Sequence, residues 1–293
     1  FTYNEVQDLL DGKPVADVPP EALEAVKHMG ALAKKLYELR VKRGALDFNL
    51  PEYKVETDAQ GKPLRVELRP RLASHRLIEE FMLLANEAVA TELYNAKLPF
   101  LHRRHDVPDI KKLQALATAL GDLGLTAGHI QGGEGLPQAL QDVLRQAENH
   151  PLQTLINSLM VRSMKQAVYS PVSEGHFGIA ARFYSHFTSP IRRYPDLLTH
   201  RAVKGLLAGK KNWLPGGLRL DKAGEHCSER ERAASEAEHK SVDIMRAELL
   251  KDMVGSVVDG TVTSVIESGA FVTVGDTGAE GLREIARAAP DAV

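Results

Sequence analysis

His176-Phe177-Gly178-Ile179-Ala180, then Tyr184-Ser185-His186-Phe187-Thr188-Ser189-Pro190-Ile191-Arg192-Arg193-Tyr194-Pro195-Asp196 and His200-Arg201, form the densest run of chemistry-bearing residues in the sequence. Between Arg182 and Lys204, five basic residues (182, 192, 193, 201 and 204) face one acid, Asp196, with aromatic residues interleaved. Forked guanidinium donors suit phosphate oxygens, and flat rings suit stacked bases. A plainer reading of the same residues is a loop cross-linked by ion pairs, with Asp196 capping the helix that follows. Locally, Phe177 to Phe187 reads as a strand region and Pro195 to Leu207 as a helix.

Outward from this run, periodicity predicts a short helix over Phe1 to Leu10 and a long one from Pro19-Pro20 to about Arg43, stopped by Gly44. Leu46 to Phe48, Tyr53 to Val55 and Arg65 to Leu68 are short alternating runs. Asp58 to Pro63 separates the last two as a hairpin turn. Further helices are predicted over Ser74–Lys97, Asp109–Leu123, Pro137–Glu148, Leu152–Val168 and Ser228–Met253. From Val254 the pattern changes to β-branched runs, and a domain boundary falls near 252. The expected architecture is a mixed α/β domain over 1–252, its helices around a sheet carrying Phe48, Val66 and the Phe177–Phe187 run. Residues 253–293 then follow as a separate strand-forming segment.

The chain has 293 residues, 37 Lys+Arg against 39 Asp+Glu and a formal net charge of −2, with 43% apolar and 26% charged residues. That length supports one large or two ordinary domains. Near-neutrality excludes a uniformly basic nucleic-acid surface but leaves room for a local basic stripe. The single cysteine, Cys227, excludes an internal disulfide and fits a reducing, cytoplasmic compartment. Apolar stretches such as Phe81 to Ala85 are too short to span a bilayer, so no membrane is expected. The opening Phe1-Thr2-Tyr3 has neither an initiator methionine nor a signal-peptide pattern, and reads as the middle of something longer.

The order and spacing of the 176–201 run resemble the signature of the ribonuclease II/R family, whose catalytic domain is called RNB. Leu77 to Asn86 is similar to the family's helix motif upstream of that signature. Phe1 to Val6 resembles the aromatic turn after its first catalytic motif. Ala237-Glu238-His239 resembles its Ala-Glu-Arg element, with His239 in place of arginine. Gly255 to Gly281 resembles the start of the S-one-type OB-fold RNA-binding barrel that follows RNB. The resemblance implies a hydrolytic exoribonuclease that degrades single-stranded RNA from the 3′ end to nucleoside 5′-monophosphates. It implies that Arg192 steadies the scissile phosphate and that Glu238 holds the terminal nucleotide or Arg192. Tyr3 and Glu79 would contact the last nucleotides, where the 2′-OH distinguishes RNA from DNA. Phe48 would stack against the end of the base column, and Arg193 would join Arg192 on the floor of an RNA channel.

Each residue also has a plainer reading. Phe48 fits a core position, Glu79 competes with Glu80 on a charged helix face, and Glu238 lies in a run that suits i,i+4 ion pairs. The resemblance further implies Mg²⁺, held by four clustered aspartates upstream of the Tyr3 element. No such cluster occurs here; the closest aspartate pairs are Asp8/Asp11 and Asp106/Asp109. The metal ligands are therefore expected outside this chain, and the missing N-terminal segment of the same protein becomes a candidate partner beside RNA. Residues 254–293 hold six acids against Arg283 and Arg287, with Phe271 as their one aromatic, too short for a complete OB barrel. Two readings therefore compete, a portion of an active exoribonuclease and a non-catalytic RNB-like scaffold that holds RNA or protein.

Overall fold

The computed structural model describes residues 1–48, 50–210 and 213–284, apart from the side chain of Asp276. Arg287 and Asp291 of the acidic C-terminal count lie outside the described residues. The chain packs as two compact units, one of residues 1–49 and 71–230 and one of residues 50–70 and 231–293.

The first unit is mostly helical. α1 (Tyr3–Leu10) starts in a capping box, in which Thr2 and Glu5 satisfy each other's backbone N–H groups. α2 (Pro20–Arg43) begins at a proline, where a missing N–H is harmless, and ends at Gly44 with φ +107 in the left-handed region. The Gln141 side chain donates to the carbonyls of Val41 and Ala45, at 2.8 Å each, and so satisfies the end of α2. α3 (Ala73–Asn95) follows, then β3 (His102–Arg104). α4 (Ile110–Asp122), α5 (Leu136–Ala147) and α6 (Gln153–Ser163) bury Leu113, Leu120, Leu140, Val143, Ile156 and Met160 against one another. β4 (Val168–Ser170) pairs antiparallel with β3, and Ala202 of α7 (Tyr194–Leu207) joins Ala90 and Leu93 of α3 in one buried cluster. α8 (Leu220–Leu250) contributes its first part to this unit and its remainder to the other.

In the second unit, β1 (Glu52–Thr57) and β2 (Pro63–Arg69) form the expected hairpin. Asp58 accepts the N–H groups of Gln60 and Lys62 at 2.9 and 2.8 Å, an Asx turn. β5 (Gly260–Ile266), β6 (Gly269–Val274) and β7 (Ala279–Glu284) form an antiparallel meander. Tyr53 packs against Gly278, which has φ +63 and where a Cβ would come within 2.8 Å of the ring; Arg246 lies 5.3 Å from its centroid.

The mixed helix-and-sheet class is as expected, and four details differ. No single sheet carries Phe48, Val66 and the Phe177–Phe187 run. Val66 is in β2 of the second unit, while Leu46 to Phe48 has no strand structure, and the N–H of Leu46 donates to the Gly178 carbonyl at 2.9 Å. Phe177 to Phe187 is not a strand. It opens with one 3₁₀ turn (Phe177–Ile179) and turns at Ala180 (φ +52), a left-handed backbone that interrupts an extended strand. α6 stops at Ser163 because residues 168–170 pair with β3, and α8 begins eight residues earlier than periodicity predicts.

Candidate functional site

The 184–196 loop is held by side chains that arrive from distant parts of the first unit. Asn86, on α3 and only 3% exposed, accepts the N–H of Phe187 at 2.9 Å and of Thr188 at 3.3 Å through Oδ1. Its Nδ2 donates to the Tyr184 hydroxyl at 3.0 Å. The next N–H, that of Ser189, donates to Oδ1 of fully buried Asp196 at 2.8 Å. His200 stacks on Phe187 with ring centroids 4.0 Å apart, and its Nε2 lies 2.9 Å from the Phe187 carbonyl. The Ser185 hydroxyl donates to the Leu101 carbonyl at 2.7 Å. Three successive backbone donors are thus consumed internally, so this stretch offers no N–H nest to an anion.

That leaves the guanidinium groups, and the two adjacent arginines differ. Arg193 pairs with Asp196, its Nε and one terminal nitrogen each 2.8 Å from a carboxylate oxygen. Asp196 therefore ties Ser189 and Arg193 together and does not cap its own helix. Arg192 is exposed, and among the described residues its side chain makes no ion pair. Ile191 beside it is fully exposed.

The other expected contacts gather at the start of α3. The Tyr3 ring, 45% exposed, packs 4.4 Å from His75, whose Nδ1 accepts the N–H of Leu72 and so caps α3. Glu79 lies one turn further along the same face. Its carboxylate, 44% exposed, pairs with Arg71 at 2.7 Å, and Arg71 also reaches Asp47 at 2.6 Å. Phe48 follows Asp47 and is half-buried against the α4–α6 core. Tyr3, Glu79 and the 47–48 segment are thus brought together. Glu80 is instead buried in a pair with Arg40 at 2.6 Å and has no surface to offer. Glu238 is exposed on α8, in the second unit.

Burial dominates the histidines around the loop. It pushes His186 down to about 2, helped by Arg193 and Arg103, and its Nδ1 lies 2.8 Å from the Tyr169 hydroxyl. Burial likewise pushes His176 down to about 3 and His102 to about 4, and lowers His105. His105 accepts the Gly178 N–H at Nδ1 (2.9 Å), so its proton sits on Nε2, facing the Lys165 carbonyl at 2.7 Å.

The family's metal does not fit the residues present. Among the described residues no three His, Cys, Asp or Glu side chains gather as a metal-holding group. Asp8 and Asp11 pair with Lys13, Asp106 with Arg104, and Asp109 with Lys165.

Sequence reasoning misses Asn86, Asp47 and Arg71. Asn86 closes the Leu77 to Asn86 helix motif, and a polar residue on the apolar side of that helix is the available signal. Asp47 and Arg71 give none, since each is an ordinary surface charge until the fold pairs them.

An exposed guanidinium on a loop that spends its own N–H donors internally, on a mixed helix-and-sheet fold, is a group able to fork onto an oxyanion such as a phosphodiester. The chain belongs to the ribonuclease II/R family, since the RNB domain model matches residues 1–209. Ribonuclease R of Aquifex aeolicus is 38% identical over 287 residues, covering 97% of this chain and 40% of that protein. Mycoplasma genitalium RNase R in complex with ribose-methylated single-stranded RNA superposes with a TM-score of 0.91 at 26% identity, covering 99% of this chain and 46% of the other. Yeast Ssd1, described as a pseudonuclease, shares the fold with a TM-score of 0.70 at 18% identity, covering 96% of this chain and 34% of that one. The chain spans less than half the length of each. No helix among the described residues is long and apolar enough to cross a membrane.

Proposed function

We propose that this chain is the Arg192-bearing part of a cytoplasmic exoribonuclease that degrades single-stranded RNA from its 3′ end, by hydrolysis, to nucleoside 5′-monophosphates. The observation that carries the reading is Arg192, an exposed guanidinium without an ion pair among the described residues, on a loop pinned by buried Asn86 and Asp196. In this reading Arg192 grips the scissile phosphate and stabilises the charge that develops on it. Arg193, its fork spent on Asp196, holds the loop that presents Arg192. Tyr3 and Glu79 meet the terminal ribose, with Glu79 aimed by Arg71, and the exposed side of Phe48 stacks the last base. The family resemblance gives Glu238 the role of holding the 3′-terminal nucleotide or Arg192, and residues 253–293 would begin an OB-type RNA-binding domain.

Mg²⁺ would supply the activated water and charge neutralisation, held by aspartates outside residues 1–293. The segment carrying them is then the partner this chain requires. The test is Mg²⁺-dependent degradation of end-labelled single-stranded RNA by this chain alone, and by the chain joined to its natural upstream segment. Shortening from the 3′ end only in the joined form is expected. RNA binding without shortening in both forms would replace this reading with the scaffold.

A further inference from the structure

The family motif accounts for Arg192 and Glu79 but gives Asn86 no task, and Asn86 makes an unusual set of bonds. Its carboxamide is 3% exposed, and every hydrogen bond it makes goes to one segment, roughly a hundred residues away in the chain. Asparagine is a poor helix former, and a buried amide gains nothing over an apolar side chain unless its partners would otherwise be left unsatisfied. Here the partners are the N–H groups of Phe187 and Thr188. With Ser189 held by Asp196, three consecutive peptides are fixed, and the Ser189 carbonyl accepts the N–H groups of Arg192 (3.3 Å) and Arg193 (3.1 Å).

The chain of constraint therefore runs from Asn86 to Ser189 and on to the Cα of Arg192. In the other direction α3 is a rigid rod. Seven residues, about 10 Å of rise and almost two full turns, put Glu79 on the same face as Asn86. We infer that Asn86 is a positioning residue that fixes the separation between the nucleotide contacts at the start of α3 and the guanidinium of Arg192. The inference rests on the exoribonuclease reading above and deepens it. The phosphate contact and the ribose contact sit on elements far apart in sequence, and one carboxamide sets their register.

The test uses the active protein, this chain joined to its upstream segment. Asn86→Leu is expected to lower turnover at saturating RNA by about 10- to 100-fold while RNA affinity stays within about threefold, since a displaced Arg192 weakens stabilisation of the transition state more than binding of the ground state. Asn86→Asp keeps Oδ1 as acceptor of both loop N–H groups, while its second carboxylate oxygen accepts from the Tyr184 O–H in place of the lost Nδ2 donor. It should recover turnover to within about fivefold of wild type. The decisive readout is a double-mutant cycle. If Asn86 acts through Arg192, adding Asn86→Leu to Arg192→Ala costs no more than about twofold in single-turnover rate. An equal fold-loss in both backgrounds, or a folded Asn86→Asp protein as slow as Asn86→Leu, overturns the positioning role. A joined wild-type protein that does not degrade RNA overturns the exoribonuclease reading instead.

Discussion

Glu79 and Glu80 are neighbours in sequence with opposite environments. Glu80 is buried with Arg40 as a forked pair, and removing one partner of such a pair strands a buried charge. Glu80→Ala should therefore cost about 3–5 kcal/mol of stability in denaturant unfolding. Glu79→Ala, on a half-exposed pair with Arg71, should cost under about 1 kcal/mol but relax the preference for RNA over DNA in the joined protein. An unchanged preference would remove Glu79 from the ribose contact. Arg192→Ala should lose about 10²–10³ in turnover with RNA affinity within a few-fold, and Arg192→Lys should not restore it, because an ammonium lacks the fork. The register of Ile78-Glu79-Glu80-Phe81-Met82 by itself favours Glu79. What the sequence does not show is why, since Arg40 lies forty residues upstream.

At the scale of elements, periodicity locates every long helix but misses what irregular segments do. Phe177 to Phe187 alternates apolar residues as a strand would, yet its backbone groups are spent piecemeal, on His105, on Leu46, on Arg103 of β3 through the Tyr184 carbonyl and, at Phe187, on Asn86, and form no continuous ladder. α8 begins earlier than its charged stretch suggests because its first turns are packed against β4. There Gly224 approaches so closely that a Cβ would lie 2.6 Å from the Tyr169 carbonyl oxygen, while Ser228 accepts the Tyr169 N–H at 2.9 Å. Backbone cannot yield as a side-chain tip can. Gly224→Ala should cost about 1–3 kcal/mol despite raising helix propensity, read as a lowered melting temperature. A stabilised variant would show that α8 can slide off β4.

For the whole molecule, the cluster of neutral histidines sets the response to acid. His186, His176 and His102 titrate near 2, 3 and 4 when folded, against 6.5 for the free side chain, so the unfolded chain binds more protons below pH 6.5. Stability is then fully present above 6.5 and falls as pH drops through 6 and 5, by up to about 1.4 kcal/mol per pH unit for each of the three. Protonating His105 would add to the loss by turning its acceptor toward Gly178 into a donor. Denaturant midpoints measured at pH 7, 6 and 5 test this, and a flat profile down to the carboxylate range would contradict it.

The family, the long helices and the hairpin were legible along the chain, because local periodicity, turn chemistry and the ordered signature are all properties of neighbouring residues. Which arginine is exposed and which is spent, which glutamate is buried, and that Asn86 holds the loop depend on how the chain folds back on itself. Those distinctions are set by partners tens to a hundred residues away, and the burial that gives a charge or an amide its role exists only once those segments meet.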